Sequence, residues 1–97
     1  QKPLILPNLK LEIDTNWIRA YRLNLLKGID FKTKNKKQSL VLISLNASTL
    51  EIRQNGKTGI QNLKPGSFFV IKRRQSFSMK NSIENTSQFV LLELPPQ

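Results

Sequence analysis

Ninety-seven residues suffice for one compact domain with one core and not for two. Apolar residues make up 38% and charged residues 23%, the balance of a small globular domain rather than a disordered tail. The net charge of +10 favours an anionic partner, whether nucleic acid, an acidic protein segment or a phosphorylated one, although solubility alone also accounts for such a charge.

The chain contains neither cysteine nor histidine. That removes disulfides, thiol chemistry, the usual general base and the commonest transition-metal ligand, so no enzyme activity, metal or other cofactor is expected. The acidic side chains are Glu12, Asp14, Asp30, Glu51, Glu84 and Glu93, and no two sit at a spacing diagnostic of acid–base chemistry. No apolar run approaches the length of a membrane span, and no signal-peptide pattern opens the chain, so neither a membrane partner nor secretion is expected. The sequence starts at Gln1 without methionine, which suggests a piece of a longer polypeptide.

In chain order, residues 1–8 carry two prolines, "QKPLILPN", and read as an extended lead-in. "LKLEID" alternates, placing Leu9, Leu11 and Ile13 on one face of a strand. "NWIRAYRLNLL" admits a helical spacing (Trp17, Tyr21, Leu25) and a strand face (Trp17, Tyr21, Leu23, Leu25, with Arg19 breaking the pattern); its neighbours favour the strand. "KGIDFKTKNKKQ" begins as a possible strand and ends as a cationic loop. "SLVLISL" is a buried strand, and "STLEIRQ" alternates with Leu50 and Ile52 inward, Glu51 and Arg53 outward. Asn55-Gly56 in "QNGK" is the pair that a type I′ hairpin turn requires. "GIQNL", "SFFVI", "QSFSMK" and "QFVLLEL" complete the strands, with "KPG" as a turn. About nine short strands without a convincing helix predict an all-β fold, an antiparallel sandwich or barrel, in one domain spanning 1–97.

The stretch "GSFFVIKRRQSFSMKN" resembles the second motif of the cupin superfamily, whose barrels are small jelly rolls. That motif reads Gly, five residues, Pro, any, Gly, two residues, His, three residues, Asn. Its outer positions fall on Gly66 and Asn81, its Pro slot on Lys72, its inner Gly slot on Arg74 and its His slot on Phe77. The first cupin motif can be laid with its Gly on Asn46 and its ligand slots on Lys32, Lys34 and Ser39, none of which matches. The resemblance covers roughly residues 28–94 and implies a barrel whose metal pocket has become core, filled by Phe77 and Met79. Within the superfamily, "PGSFFVIKRRQSFSMKN" and the terminal "SQFVLLEL" are similar to the C-terminal cupin domain of centromere protein C, apart from the lost Pro-x-Gly turn and the "LPPQ" ending.

That likeness implies a nuclear, kinetochore- or chromatin-associated homodimerisation domain that also holds protein partners. Phe68, Phe69, Phe77 and Met79 are then expected in the barrel interior or the dimer interface. In the cupin layout, Lys32, Lys34, Lys36 and Lys37 and the second cluster, Lys72, Arg73 and Arg74, lie on loops near one end of the barrel. There they would hold an acidic protein segment, a chromatin component or, without base preference, nucleic acid. The alternative is a cupin that senses a sugar or organic anion, with Lys32, Lys34 or Arg74 as clamps; an isomerase or lyase would need a base among Tyr21, Lys34 or a carboxylate. The triplets "NAS" at Asn46 and "NTS" at Asn85 read as chance occurrences of a glycosylation pattern.

Overall fold

The computed structural model of the chain describes residues 2–33 and 37–94. Among these, nine strands follow one another with no helix: β1 (Leu9–Asp14), β2 (Arg19–Leu25), β3 (Asp30–Thr33), β4 (Leu40–Ser44), β5 (Ser48–Gln54), β6 (Lys57–Leu63), β7 (Phe68–Ile71), β8 (Phe77–Asn81) and β9 (Ser87–Glu93). They form a five-stranded sheet of order β1-β2-β9-β4-β7 and a four-stranded sheet of order β3-β8-β5-β6, with every pairing antiparallel. The strand pattern predicts this all-β architecture, and the cupin resemblance its jelly-roll layout.

The core lies between the sheets. Tyr21, Leu23 and Leu25 of β2, Leu40 and Leu42 of β4, Phe89 and Leu91 of β9 and Ile71 of β7 face Phe31, Leu50, Ile52, Leu63, Phe77 and Met79 of the other sheet. Period-two alternation produces this directly, because each strand turns every second side chain inward. Residues 2–8 form no strand; Leu4 and Leu6 pack against the core, and the Leu4 amide donates to Tyr21 Oη at 3.0 Å.

Two local expectations are corrected. In β1 the register shifts between Leu11 and Ile13, a β-bulge, so Leu11 pairs with the inward Tyr21 whereas Ile13 pairs with the outward Ala20. Leu9, Leu11 and Ile13 therefore do not share a face, and Ile13 is 51% exposed. An extra residue in an edge strand reverses the alternation beyond it. Trp17 does not continue the β2 face either. Thr15 Oγ1 accepts from the amides of Trp17 and Ile18, both at 3.1 Å, and closes a turn that leaves the indole 80% exposed.

The remaining turns follow their residues. Asn55 (φ 54°) and Gly56 (φ 78°) both adopt positive φ in the β5–β6 hairpin, as a type I′ turn demands. Pro65-Gly66 occupies the middle of a turn closed by Ser67 N–H to Lys64 C=O at 3.0 Å, with Gly66 at φ 87°. Proline second and glycine third in such a turn supply fixed negative and free positive φ in that order.

Candidate functional site

In cupins the motif residues converge inside the barrel, and here that space is filled. Phe77 and Met79 are each 1% exposed. Phe77 also meets Phe69 of the opposite sheet, with ring centroids 6.3 Å apart and tilted. Phe69 is half-buried against the core, whereas Phe68, its neighbour on β7, is 66% exposed and points outward. On β3 the inward residues are Phe31 and Thr33, paired with Met79 and Phe77; Lys32 faces outward and is ion-paired with Asp30 at 3.4 Å. The first motif's slot laid on Lys32 by spacing therefore falls out of phase with the barrel, and the inward positions of β3 belong to Phe31 and Thr33. Lys34 lies outside the described residues.

These residues do not fit a metal. A phenyl ring fills the second-motif slot, a phenyl and a hydroxyl take the inward positions of β3, and no described cluster of three or more carboxylates exists to replace them.

The motif positions that survive have structural work. Asn81 is 1% exposed, and its Nδ2 donates to the carbonyls of Leu25 (2.7 Å) and Asn85 (2.8 Å), while its Oδ1 accepts from the Ile83 amide (2.9 Å). It fastens the β8–β9 loop to the end of β2. Arg74, in the inner Gly slot, sits at φ 65° in a turn closed by Gln75 N–H to Lys72 C=O at 3.2 Å. The turn keeps the left-handed conformation for which glycine is suited, with arginine in its place. Asn46, in the first motif's Gly slot, pins the β4–β5 loop to β9: Nδ2 donates to the Thr86 carbonyl at 2.8 Å and Oδ1 accepts from the Gln88 amide at 3.0 Å.

A polar chain crosses one end of the interior. Tyr21 Oη donates to Glu93 Oε1 at 2.8 Å, Arg19 Nη1 donates to the same oxygen at 3.3 Å, and Arg19 Nε reaches Asp14 Oδ1 at 3.0 Å. Burial, with Glu93 as the smaller cause, pushes the Tyr21 phenol above its ordinary value, so Tyr21 is a poor candidate for the general base of a lyase or isomerase. The break that Arg19 makes in the apolar pattern of β2 is this inward guanidinium.

The outer faces of the two sheets differ in kind. Cross-strand registers place Ile13, Ala20, Leu92, Val41 and Val70 in one row across the five-stranded sheet, and Lys10, Arg22, Val90, Ile43 and Phe68 in the next. All but two of those ten side chains are apolar. The same positions of the four-stranded sheet read Asp30, Lys80, Glu51, Ile60 and Lys32, Ser78, Arg53, Thr58. One face is made for water; the other is not.

Part of the expected basic cluster gathers at one end; Lys32 does not, because it stands on β3 beside Asp30 rather than on a loop. A row of partners, Asp14, Arg19, Glu93, Leu40 and Ile71, crosses the five-stranded sheet, and a second, Thr33, Phe77, Gln54 and Lys57, crosses the other. The turns leaving these rows carry Trp17, Lys37, the Asn55-Gly56 hairpin tip, and Lys72, Arg73 and Arg74. Lys37, Lys57, Lys72, Arg73 and Arg74 are exposed, and none has an ion pair among the described residues. Lys36 lies outside the described residues, as Lys34 does. Lys57, from the hairpin, and Trp17 join this end without having been anticipated from sequence. The "DTN" turn residues ahead of Trp17 are the signal that points to its exposure.

No protein-family model matches the chain, and no curated protein matches it. Solved structures do. The chain superposes on a cupin domain from Bordetella pertussis (TM-score 0.77, 13% identity, covering 89% of this chain and 90% of that one). It superposes equally on the cupin domain of Schizosaccharomyces pombe Cnp3 (TM-score 0.77, 15% identity, 90% of this chain and 59% of that one). It also matches the cupin domain of an XRE-family transcriptional regulator from Enterobacter cloacae (TM-score 0.72, 13% identity, 93% and 99%). The fold is that of the cupins.

Proposed function

We propose that this cupin-fold chain is a non-enzymatic homodimerisation and protein-interaction domain, two copies meeting through the outer face of the five-stranded sheet. The observation that carries the reading is the contrast between the two outer faces. Ile13, Phe68 and Val70 are 51%, 66% and 48% exposed at the margins of the apolar face, with Val41, Ile43, Val90 and Leu92 half-buried at its centre. No described element lies over it; residues 2–8 pass on the core side, through Leu4 and Leu6.

The occupant that fits is a second copy. Five strands about 4.8 Å apart, with outward residues over about 20 Å of each, give a face on the order of 500 Å2 in plan. Side-chain relief raises its accessible area toward the roughly 800 Å2 per partner of a standard interface. A two-fold axis through the centre makes the apolar rows self-complementary, with Lys10, Arg22 and its 3.6 Å partner Glu12 on one margin as a polar rim. The Cnp3 cupin domain among the matching structures, together with the sequence likeness to centromere protein C, supports placing the domain in a nuclear protein of chromatin or kinetochore.

Charging the centre of the seam tests the reading. Ile43→Glu leaves the inward side of β4 untouched, so the chain should remain folded and become monomeric at concentrations where the parent is dimeric. Folded dimers of Ile43→Glu would place the seam elsewhere.

A ligand-sensing reading has one observation in its favour. A groove of about 400 Å3 runs between residues 6–8 and β3, floored by Leu23 and Phe31 with Asp30 and Lys32 at its margin. Arg74, the other described clamp candidate, is exposed on its turn and does not line the groove. A rise in melting temperature with a sugar acid, lost in Lys32→Ala, would establish the groove as a site.

A further inference from the structure

We infer that the basic end of the barrel binds single-stranded nucleic acid, with Trp17 as its stacking platform and the surrounding cations as its phosphate contacts. This goes beyond dimerisation and does not depend on it, because the residues concerned stand on end turns rather than on the sheet face.

The first ground is how Trp17 is presented. An indole 80% exposed covers no core. Yet its turn is held from both sides: Thr15 Oγ1 accepts from the Trp17 and Ile18 amides, and the Thr15 amide and hydroxyl both donate to the Ile18 carbonyl, at 3.0 and 3.1 Å. The backbone beneath the ring is fixed, so a base stacking on it does not have to order the turn first.

The second ground is the balance of charge. The acidic groups at this end, Asp14 and Glu93, both engage Arg19. Lys37, Lys57, Lys72, Arg73 and Arg74 carry no recorded ion pair among the described residues, so their field is uncancelled locally. Of the other acids, Glu84 pairs with Lys27, Glu12 with Arg22 and Asp30 with Lys32. Three to four strand spacings of about 4.8 Å separate the Trp17 turn, between β1 and β2, from the Lys72–Arg74 turn that leaves β7, with Lys37 ahead of β4 between them. An extended strand laid across that end meets an aromatic face and then successive cations.

The third ground is Arg74 itself. A tight turn keeps φ at 65° for an arginine, a conformation that costs an L-residue free energy and would cost glycine none, so the exposed guanidinium there calls for a use outside the fold.

The choice among anions follows from the indole. An acidic peptide uses the cations and leaves Trp17 without a role. In a duplex the bases are already stacked, and no described helix is present to enter a groove. A single strand uses both features, and it does so without sequence preference.

The intact chain contains one tryptophan, so the platform reports on itself. Titration with a labelled oligothymidylate at about 50 mM salt should quench Trp17 emission as anisotropy rises. The slope of log K against log salt, about −0.7 per phosphate neutralised, should be −2 or steeper. Trp17→Ala should lower affinity about tenfold or more with unchanged circular dichroism and solution mass. The combined Lys57→Ala, Lys72→Ala, Arg73→Ala and Arg74→Ala variant should lose at least as much. Any of four results would overturn the proposal: binding without quenching, binding indifferent to Trp17→Ala, tighter binding of polyglutamate or duplex than of the oligothymidylate, or a fall in solution mass in Trp17→Ala, which would assign the indole to the dimer seam.

Discussion

Arg74 holds a backbone conformation that suits glycine better than arginine. Its φ of 65° suits glycine, and the free-energy cost of that conformation is recovered by removing the side chain. Arg74→Gly should raise the unfolding free energy by about 0.5–1 kcal/mol, roughly 2–8 °C in Tm, as urea and thermal melts would show. A loss of stability would mean that the guanidinium makes a fold contact. Tyr21 gives a second handle, because it is the one tyrosine of the chain. Burial raises its folded-state value above the ordinary 10.0. The native state therefore holds a proton that the unfolded chain releases, and stability present below pH 10.0 is lost as pH rises through the folded value. Phenolate absorbance should appear only above that pH and together with unfolding, and Tyr21→Phe should flatten the alkaline limb. Phenolate appearing at the ordinary value in a folded chain would contradict the buried hydrogen bond to Glu93.

The strands were legible because their residues repeat every second position. Leu50 and Ile52 face inward while Glu51 and Arg53 face outward, and Asn55-Gly56 marks its hairpin without help from the rest of the chain. What alternation does not carry is phase across an irregularity. The bulge in β1 turns Ile13 onto the outer face, and no residue there is a glycine or proline to announce it. The same blindness put the first motif on Lys32 and Lys34, since counting from Asn46 crosses a loop whose path the count does not know. The second motif fared better, because its turns at Gly66 and Arg74 and its buried Asn81 are local constraints in consecutive residues. The apolar outer face was half visible, as "SFFVI" and "FVLLEL" pattern, but only the order β1-β2-β9-β4-β7 brings Ile13, Val41, Val70, Val90 and Phe68 into one surface. That surface is a property of pairing between strands far apart in sequence. It is where Ile43→Glu should act, separating the copies while leaving the core residues Leu40 and Leu42 in place.

At the scale of the whole molecule, the fold divides its surface into parts of different chemistry. The four-stranded sheet meets water with mixed charge, the five-stranded sheet offers an apolar face, and one end carries Trp17 and several exposed cations on separate turns. The barrel interior buries Phe77 and Met79, and the described residues include no group of three or more metal-ligating side chains. The two proposals accordingly look to the outside, dimerisation to the apolar face and an anionic strand to the basic end. Among the described residues no helix is long and apolar enough to cross a membrane, so the apolar face is not part of a helical span. The most direct measurement is the solution mass by light scattering across a dilution series reaching below micromolar. A mass of twice 11.2 kDa that persists on dilution, and halves in Ile43→Glu with circular dichroism unchanged, is the expected result. A parent chain that stays at 11.2 kDa at high concentration would contradict the dimer and leave the outer face to another partner.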